Sequence, residues 1–354
     1  MSKIKVLVVD DSAYSRQTIK KMLETDKDIE VVGIASDGID ATAKAIRLKP
    51  DLITLDLEMP EMDGFSFLRW LMKERPTPVI IVSSYSDSKT VFKALELGAA
   101  DFIAKPTKKA SVEFQNIGKD LLRKVKGIRD FRMDKLSSNL RLLGKESTEK
   151  ASSEESTADL DVVAIGASTG GPAALQIVLT RLPSDFHAGI VISQHMPKGF
   201  TASLAERLNG ISNVHIKEAK EGDEVEEGKV LVCPGGYHMI FHRRGQGIVT
   251  TIKEPKNTDK YVPSVDIMMS SISENFGPRA IGVILTGMGN DGITGMLEIK
   301  KRGGYTIAES EDTAVVFGMP SEAINKGAAM KVLPISEIPV ELVRIAGKKE
   351  KAKR

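Results

Sequence analysis

Five short apolar runs within residues 1–127, each followed by an amphipathic stretch, constrain this chain more than any other feature. The runs at 5–9, 30–35, 52–57, 79–83 and 101–104 read as buried strands, and stretches such as 63–73 and 89–97 carry helical spacing. A parallel pair needs a crossover, usually a helix, so strands regularly alternating with helices point to parallel pairing. The rhythm therefore predicts an α/β domain over 1–127. Its expected core is a doubly wound five-stranded parallel sheet covered on both faces.

In such a sheet, ligands sit beyond the carboxyl ends of the strands. Asp10 and Asp11 follow the first strand, Asp56 ends the third, Ser83 the fourth, and Lys105 follows the fifth. Three converging carboxylates repel one another unless a hard cation lies among them, and magnesium with its oxygen ligands fits. A carboxylate beside that cation, with a lysine and a hydroxyl at hand, is suited to accept a phosphoryl group, with Asp56 as the nucleophile. Any one of these acids alone could be a helix cap. All five strand ends together resemble the response-regulator receiver domain. That resemblance implies Asp56 as phospho-acceptor, and Asp10, Asp11, Asp56 and the Glu58 carbonyl as magnesium ligands. It also implies Ser83 and Lys105 as phosphoryl-sensing groups, Phe102 at the aromatic switch position, and a histidine kinase as phosphoryl donor.

Residues 128–159 change character. Met133, Leu136, Leu140 and Leu143 keep helical spacing, and 145–159 is almost wholly Ser, Thr, Glu, Asp and Lys, a composition that cannot bury enough surface to order itself. This segment is read as an interdomain linker. A second alternation fills 160–347, with strands at 161–165, 189–193, 280–285, 306–308 and 330–333 and helices at 172–182, 200–208 and 291–301. Between them, short runs at 230–233, 238–242 and 248–252 are broken by Pro-Gly-Gly and Gly-Gln-Gly and suggest antiparallel hairpins. The expected second domain is α/β, with a mostly parallel sheet and an antiparallel hairpin insert. Residues 348–354 form a basic tail. A net charge of +2 gives no general pull toward nucleic acid, and no basic helix-turn-helix follows the linker. The single cysteine, Cys233, the lack of a signal-like start and the lack of a long apolar run predict a cytoplasmic protein that is not membrane-embedded.

Gly166-Ala167-Ser168-Thr169-Gly170-Gly171 follows an apolar run and matches a nucleophile elbow, in which a serine sits on a tight strand-to-helix turn. A glycine-rich turn there could instead cradle a phosphate. His195 and Asp291 also lie where strands end, which brings base and orienting acid to the same sheet edge as Ser168. The order Ser, His, Asp differs from that of the α/β-hydrolases. Asp291 alone could merely cap its helix. Amides near Thr169 and Met288 are candidate oxyanion donors. His187 and His215 read as surface positions. His238 and His242 share a strand face, a weak hint of a metal.

Taken together, the turn at Ser168, Gln194-His195-Met196-Pro197 and Thr286-Gly287-Met288-Gly289-Asn290-Asp291-Gly292 closely resemble the protein-glutamate methylesterases of bacterial chemotaxis. Pro263-Ser264-Val265-Asp266 and Val316-Phe317-Gly318-Met319-Pro320 carry the same resemblance, which spans about 160–346. It implies Ser168 as nucleophile, His195 as base, Asp291 as orienting acid and oxyanion support from Met288. The implied activity is hydrolysis of glutamate methyl esters, and deamidation of glutamines, on methyl-accepting chemoreceptors, with no cofactor for the esterase. One departure stands out: Val262 occupies a position where the family usually has arginine, with Lys260 a nearby substitute.

Overall fold

The computed structural model describes residues 2–83, 88–105, 112–143 and 160–346. The chain forms two compact units, Met1–Ser137 and Ser138–Arg354. The stretch 145–159 and the basic tail lie outside the described residues.

In the first unit β1 (Ile4–Val9), α1 (Ala13–Leu23), β2 (Ile29–Ala35), α2 (Gly38–Leu48), β3 (Leu52–Asp56) and α3 (Gly64–Glu74) lead on. β4 (Val79–Ser83), α4 (Ser88–Glu96), β5 (Asp101–Ala104) and α5 (Val112–Lys126) follow. All five strands are parallel, in the order β2-β1-β3-β4-β5. Val6, Val8, Leu52, Ile80, Val82 and Ile103 pack with Ile19, Leu23, Leu121 and Val125 from α1 and α5. Helix starts are set by short polar side chains: Ser12, Asp37 and Asp63 accept from amides of the first turns of α1, α2 and α3. Strand order reverses between β1 and β3, so Val9 and Leu55 lie side by side and the acids that follow them meet in one crevice.

α6 (Met133–Leu143) carries the boundary between the units within it. The second unit continues with β6 (Val162–Ala167), α7 (Gly171–Leu179), β7 (Gly189–Gln194), α8 (Thr201–Asn209), β8 (His215–Glu218) and β9 (Lys229–Val232). Next come β10 (His238–Arg244), β11 (Gly247–Lys253), α9 (Val265–Phe276), β12 (Ala280–Ile284) and α10 (Ile293–Lys301). β13 (Tyr305–Glu309), α11 (Met319–Asn325), β14 (Lys331–Leu333) and α12 (Ile338–Ile345) complete it. Seven strands form one sheet, β14-β13-β12-β6-β7-β9-β8, parallel throughout. The run at 230–233 was expected in a hairpin, yet it is a strand of this sheet. Its Val230, Leu231 and Val232 are all buried, which a sheet covered on both faces provides. The hairpin itself is β10 with β11, paired from His238↔Lys253 to Arg244↔Gly247.

α9 and α10 cross closely, and Gly295 sits at the crossing: a Cβ there would lie 2.4 Å from Met269 Cβ. Gly295→Val should wedge the helices apart at a cost of about 1–3 kcal/mol. The second unit's thermal midpoint should fall by about 3–10 °C in calorimetry, and an unchanged midpoint would contradict this packing.

Candidate functional site

β6 lies between β7 and β12, so the segments leaving these three strands emerge side by side. Backbone hydrogen bonds continue past the strands: His195 donates to the Ala167 carbonyl at 3.0 Å, and Ser168 to the Thr286 carbonyl at 3.0 Å. The Ser168 turn is closed by the Gly171 amide on the Ser168 carbonyl at 2.8 Å, with Gly170 at φ +79°. Gln194 Nε2 also donates to that carbonyl at 2.9 Å and to the His195 carbonyl at 3.2 Å. A Cβ at 171 would stand 2.0 Å from Gln194 Oε1, so only glycine lets the turn and this brace coexist.

His195 and Asp291 are brought into direct contact, Nε2 to Oδ2 at 2.7 Å, both buried. The Asp291 carboxylate accepts three further bonds, from the Val265 amide at 2.7 Å, the Ser264 hydroxyl at 3.0 Å and the Asp266 amide at 3.0 Å. These groups form the N-terminus of α9, where helix amides favour negative charge. Burial by itself would raise the Asp291 pKa; the His195 bond and charge and the helix amides outweigh it and hold the carboxyl below its usual range. Asp266 returns the arrangement by accepting from the Gly295 amide at 2.9 Å, in the first turn of α10. Each helix thus caps the other.

With Nε2 engaged, Nδ1 is the ring nitrogen left to accept a proton. It is buried and has no hydrogen-bond partner among the described residues, so no Ser168–His195 hydrogen bond is formed. Tyr261 stacks on the imidazole at 5.0 Å and 3°, fixing its plane. Met288 follows the Thr286 and Gly287 backbone that lies against Ser168, and its amide donates to no described residue. The 316–320 segment braces this loop: Gly287 donates to the Val316 carbonyl, while Gly318 and Met319 donate to the Gly287 carbonyl. Thr169 is buried in the turn. An ionised acid, an oriented imidazole with one open nitrogen, a serine on a tight turn and an unpaired amide are the parts acyl transfer requires.

Among the described residues, the other histidines join no group of side chains that could hold a metal ion. His238 is buried, donating through Nε2 to Asp259 at 2.9 Å and accepting the Ser264 amide at Nδ1. His242 is exposed beside the Thr251 hydroxyl. His187 is partly exposed and His215 exposed.

In the first unit, carboxylate oxygens of Asp10, Asp11 and Asp56 lie within 4.8 Å of one another. Lys105 Nζ is 2.6 Å from Asp56 Oδ2 and 3.4 Å from Asp10 Oδ2. Burial and then the Asp56 charge push the Asp10 pKa up to about 6, and burial raises that of Asp56 against the pull of Lys105. Asp10 Oδ2 lacks a hydrogen bond. One lysine leaves the cluster short of positive charge, and this oxygen donor set suits a divalent hard cation. The Glu58 amide approaches Asp56 Oδ1 at 3.4 Å, and the Lys105 amide donates to the Ser83 carbonyl at 2.6 Å. Phe102 is buried edge-on to Phe92, with Lys124 Nζ 5.3 Å from its ring.

A family model for CheB methylesterase matches residues 163–342, and one for the response regulator receiver domain matches residues 6–113. A Geobacter sulfurreducens protein named protein-glutamate methylesterase/protein-glutamine glutaminase 3 is 50% identical over 98% of both chains. A Pyrococcus horikoshii protein with the corresponding name is 43% identical, over 97% of this chain and 93% of that one. The crystal structure of the Thermotoga maritima CheB methylesterase catalytic domain is similar at TM-score 0.51 and 41% identity, covering 52% of this chain and 97% of that one. Among the described residues no helix is long and apolar enough to cross a membrane.

Sequence reasoning did not nominate Gln194, Tyr261 or Ser264 as site residues. The signal for Ser264 was present, as a serine before an apolar run with an acid in its first turn. Gln194 and Tyr261 act through tertiary contacts that leave no local pattern. Ser264→Ala removes both a helix cap and a donor to Asp291. It should lower stability by about 1–3 kcal/mol in denaturant unfolding, and wild-type stability would contradict the cross-capping.

Proposed function

The chain belongs to the CheB methylesterase family, joined to a response-regulator receiver domain, and from that premise we propose how its own residues carry the reaction. Ser168 Oγ attacks the γ-carbonyl of a methylated receptor glutamate as His195 Nδ1 takes its proton. Asp291, ionised and held by four donors, steadies the imidazolium. The Met288 and Thr169 amides bear the oxyanion, each such donor contributing roughly 3–4 kcal/mol. Collapse of the tetrahedral intermediate expels methoxide, which takes the proton from Nδ1 and leaves as methanol. Water then attacks the acyl-serine, giving its proton to Nδ1, and glutamate departs as the proton returns to Ser168. A receptor glutamine follows the same course with ammonia leaving. The His195–Asp291 pair beside the Ser168 turn is the observation that supports this most strongly.

No cofactor enters the ester chemistry. In the receiver, Asp10, Asp11, Asp56 and the Glu58 carbonyl would hold magnesium, which would neutralise the incoming phosphoryl oxygens. Asp56 accepts the phosphoryl group from a histidine kinase, Lys105 and Ser83 engage it, and Phe102 responds to its arrival; the esterase output follows that state. The substrate segments and the kinase lie in the cytoplasm, where this protein works. Lys260, exposed beside Tyr261 with Nζ 3.2 Å from Asn290 Oδ1, supplies the positive charge for acidic receptor segments that Val262 does not.

Ser168→Ala should reduce methanol release from methylated receptor membranes by a factor on the order of 10⁶; undiminished release would exclude the serine mechanism. A small phosphoryl donor should accelerate the wild type and leave Asp56→Ala unaffected. Magnesium should stabilise the receiver in a pH-dependent manner. With Asp10 raised to about 6, the folded state holds a proton that the unfolded chain has lost, so without metal the receiver gains stability as pH falls through that range. The proton competes with the cation. Excess magnesium should therefore raise the thermal midpoint at about pH 7.5 and have little effect at about pH 5. An equal shift at both would count against Asp10 as a ligand.

A further inference from the structure

Glu309 ends β13, the strand beside β12, and its side chain is completely buried. Among the described residues it has no ion-pair partner. Its bonds are few and specific: Oε2 accepts the Thr286 amide at 2.7 Å, and Oε1 accepts the Thr313 hydroxyl at 3.0 Å. A carboxyl buried without a cation is costly, and burial pushes its pKa up to about 7.

Thr286 is the residue on which the nucleophile turn rests. Its carbonyl accepts the Ser168 amide, and its hydroxyl donates to the Thr169 carbonyl at 3.0 Å and accepts the Val316 amide at 2.9 Å. The Gly287 backbone that follows is so close to Ser168 that a Cβ there would lie 2.7 Å from Ser168 Cβ. Glu309 is anchored in turn through Thr313, whose carbonyl accepts Asn139 Nδ2 at 3.0 Å and whose hydroxyl accepts the Ile335 amide at 2.9 Å.

We propose that Glu309 is a positioning residue for the esterase: by holding the Thr286 amide it fixes the Thr286–Met288 backbone, and thereby keeps Ser168 and the Met288 amide in mutual register. The inference rests on the assignment of Ser168 as nucleophile. What the role requires is an acceptor at Oε2, and the protonated acid and the carboxylate both provide one. Glutamine keeps that acceptor and can turn its amide group toward Thr313; leucine leaves the Thr286 amide buried and unpaired.

The test uses the full-length chain, with methanol release from methylated receptor membranes and the rate of Ser168 labelling by a fluorophosphonate. Glu309→Leu should lower kcat and the labelling rate by about 30- to 100-fold with KM within about twofold, as expected when reacting groups lose register. Glu309→Gln should stay within about fivefold of wild type on both measures. Wild-type rates in Glu309→Leu, or equal losses in the two variants, would overturn the proposal, the latter by making the charge rather than the acceptor decisive. Should Glu309→Leu fail to unfold cooperatively, Thr313→Val replaces it; that variant should lose about 3- to 10-fold in kcat alone, and an unchanged kcat would overturn the proposal. Wild-type protein labelled elsewhere than Ser168 would refute the nucleophile assignment itself, a result distinct from rapid labelling of Ser168 in Glu309→Leu.

Discussion

The catalytic unit depends on the parallel pairing of β6 with β7 on one side and β12 on the other. β6 is buried along its whole length, so a slip in register would place apolar side chains on new neighbours on both faces. That pairing brings the exits of three strands to one edge, and the exits carry Ser168, His195 and the loop leading to Asp291. Strand order reverses across β6, with β7 on one side and β12 on the other, which opens a crevice there. The chemistry is local, but its geometry is inherited from pairings made by Val, Ile and Ala side chains.

Two sets of buried carboxylates show how environment divides chemical roles. Asp291 is nearly inaccessible, yet it remains ionised because four donors, including helix-end amides and His195, outweigh desolvation. Asp10 is equally buried but has fewer donors and a like charge beside it, so its pKa rises to about 6. A carboxylate satisfied by protein donors can orient an imidazole and needs no ion. A carboxylate left short of positive charge attracts one.

Much of this was legible in the sequence, for an identifiable reason. Buried parallel strands appear as apolar runs, and residues at their ends belong to the sheet's carboxyl edge by topology alone. Asp10, Asp56, Lys105, Ser168, His195 and Asp291 could therefore be assigned an edge before any coordinate was known. The run at 230–233 was misassigned because Pro234 and Gly235 after it look like a hairpin turn, while both-face burial has no local signature. Gln194, Tyr261, Thr286 and Glu309 escaped notice as site residues because their roles lie in hydrogen bonds and stacking across long sequence separations. A buried glutamate at a strand end looks in sequence like any exposed one.

The Asp291 carboxylate and the loop that carries Lys260 are anchored separately, and Tyr261 joins them by stacking on His195. Ser168, His195 and Asp291 hang from strand ends and from the crossed N-termini of α9 and α10. Lys260 and Tyr261 instead lie on the loop between β11 and α9, which His238 pins by bonding Asp259 at one end and the Ser264 amide at the other. Within those pins, exposed side chains can change without moving the Asp291 carboxylate, whose donors begin only at Ser264. Val262, partly buried, falls inside this interval. A change between those pins leaves the donors to Asp291 in place, and it can still reach the imidazole through Tyr261, which stacks on His195.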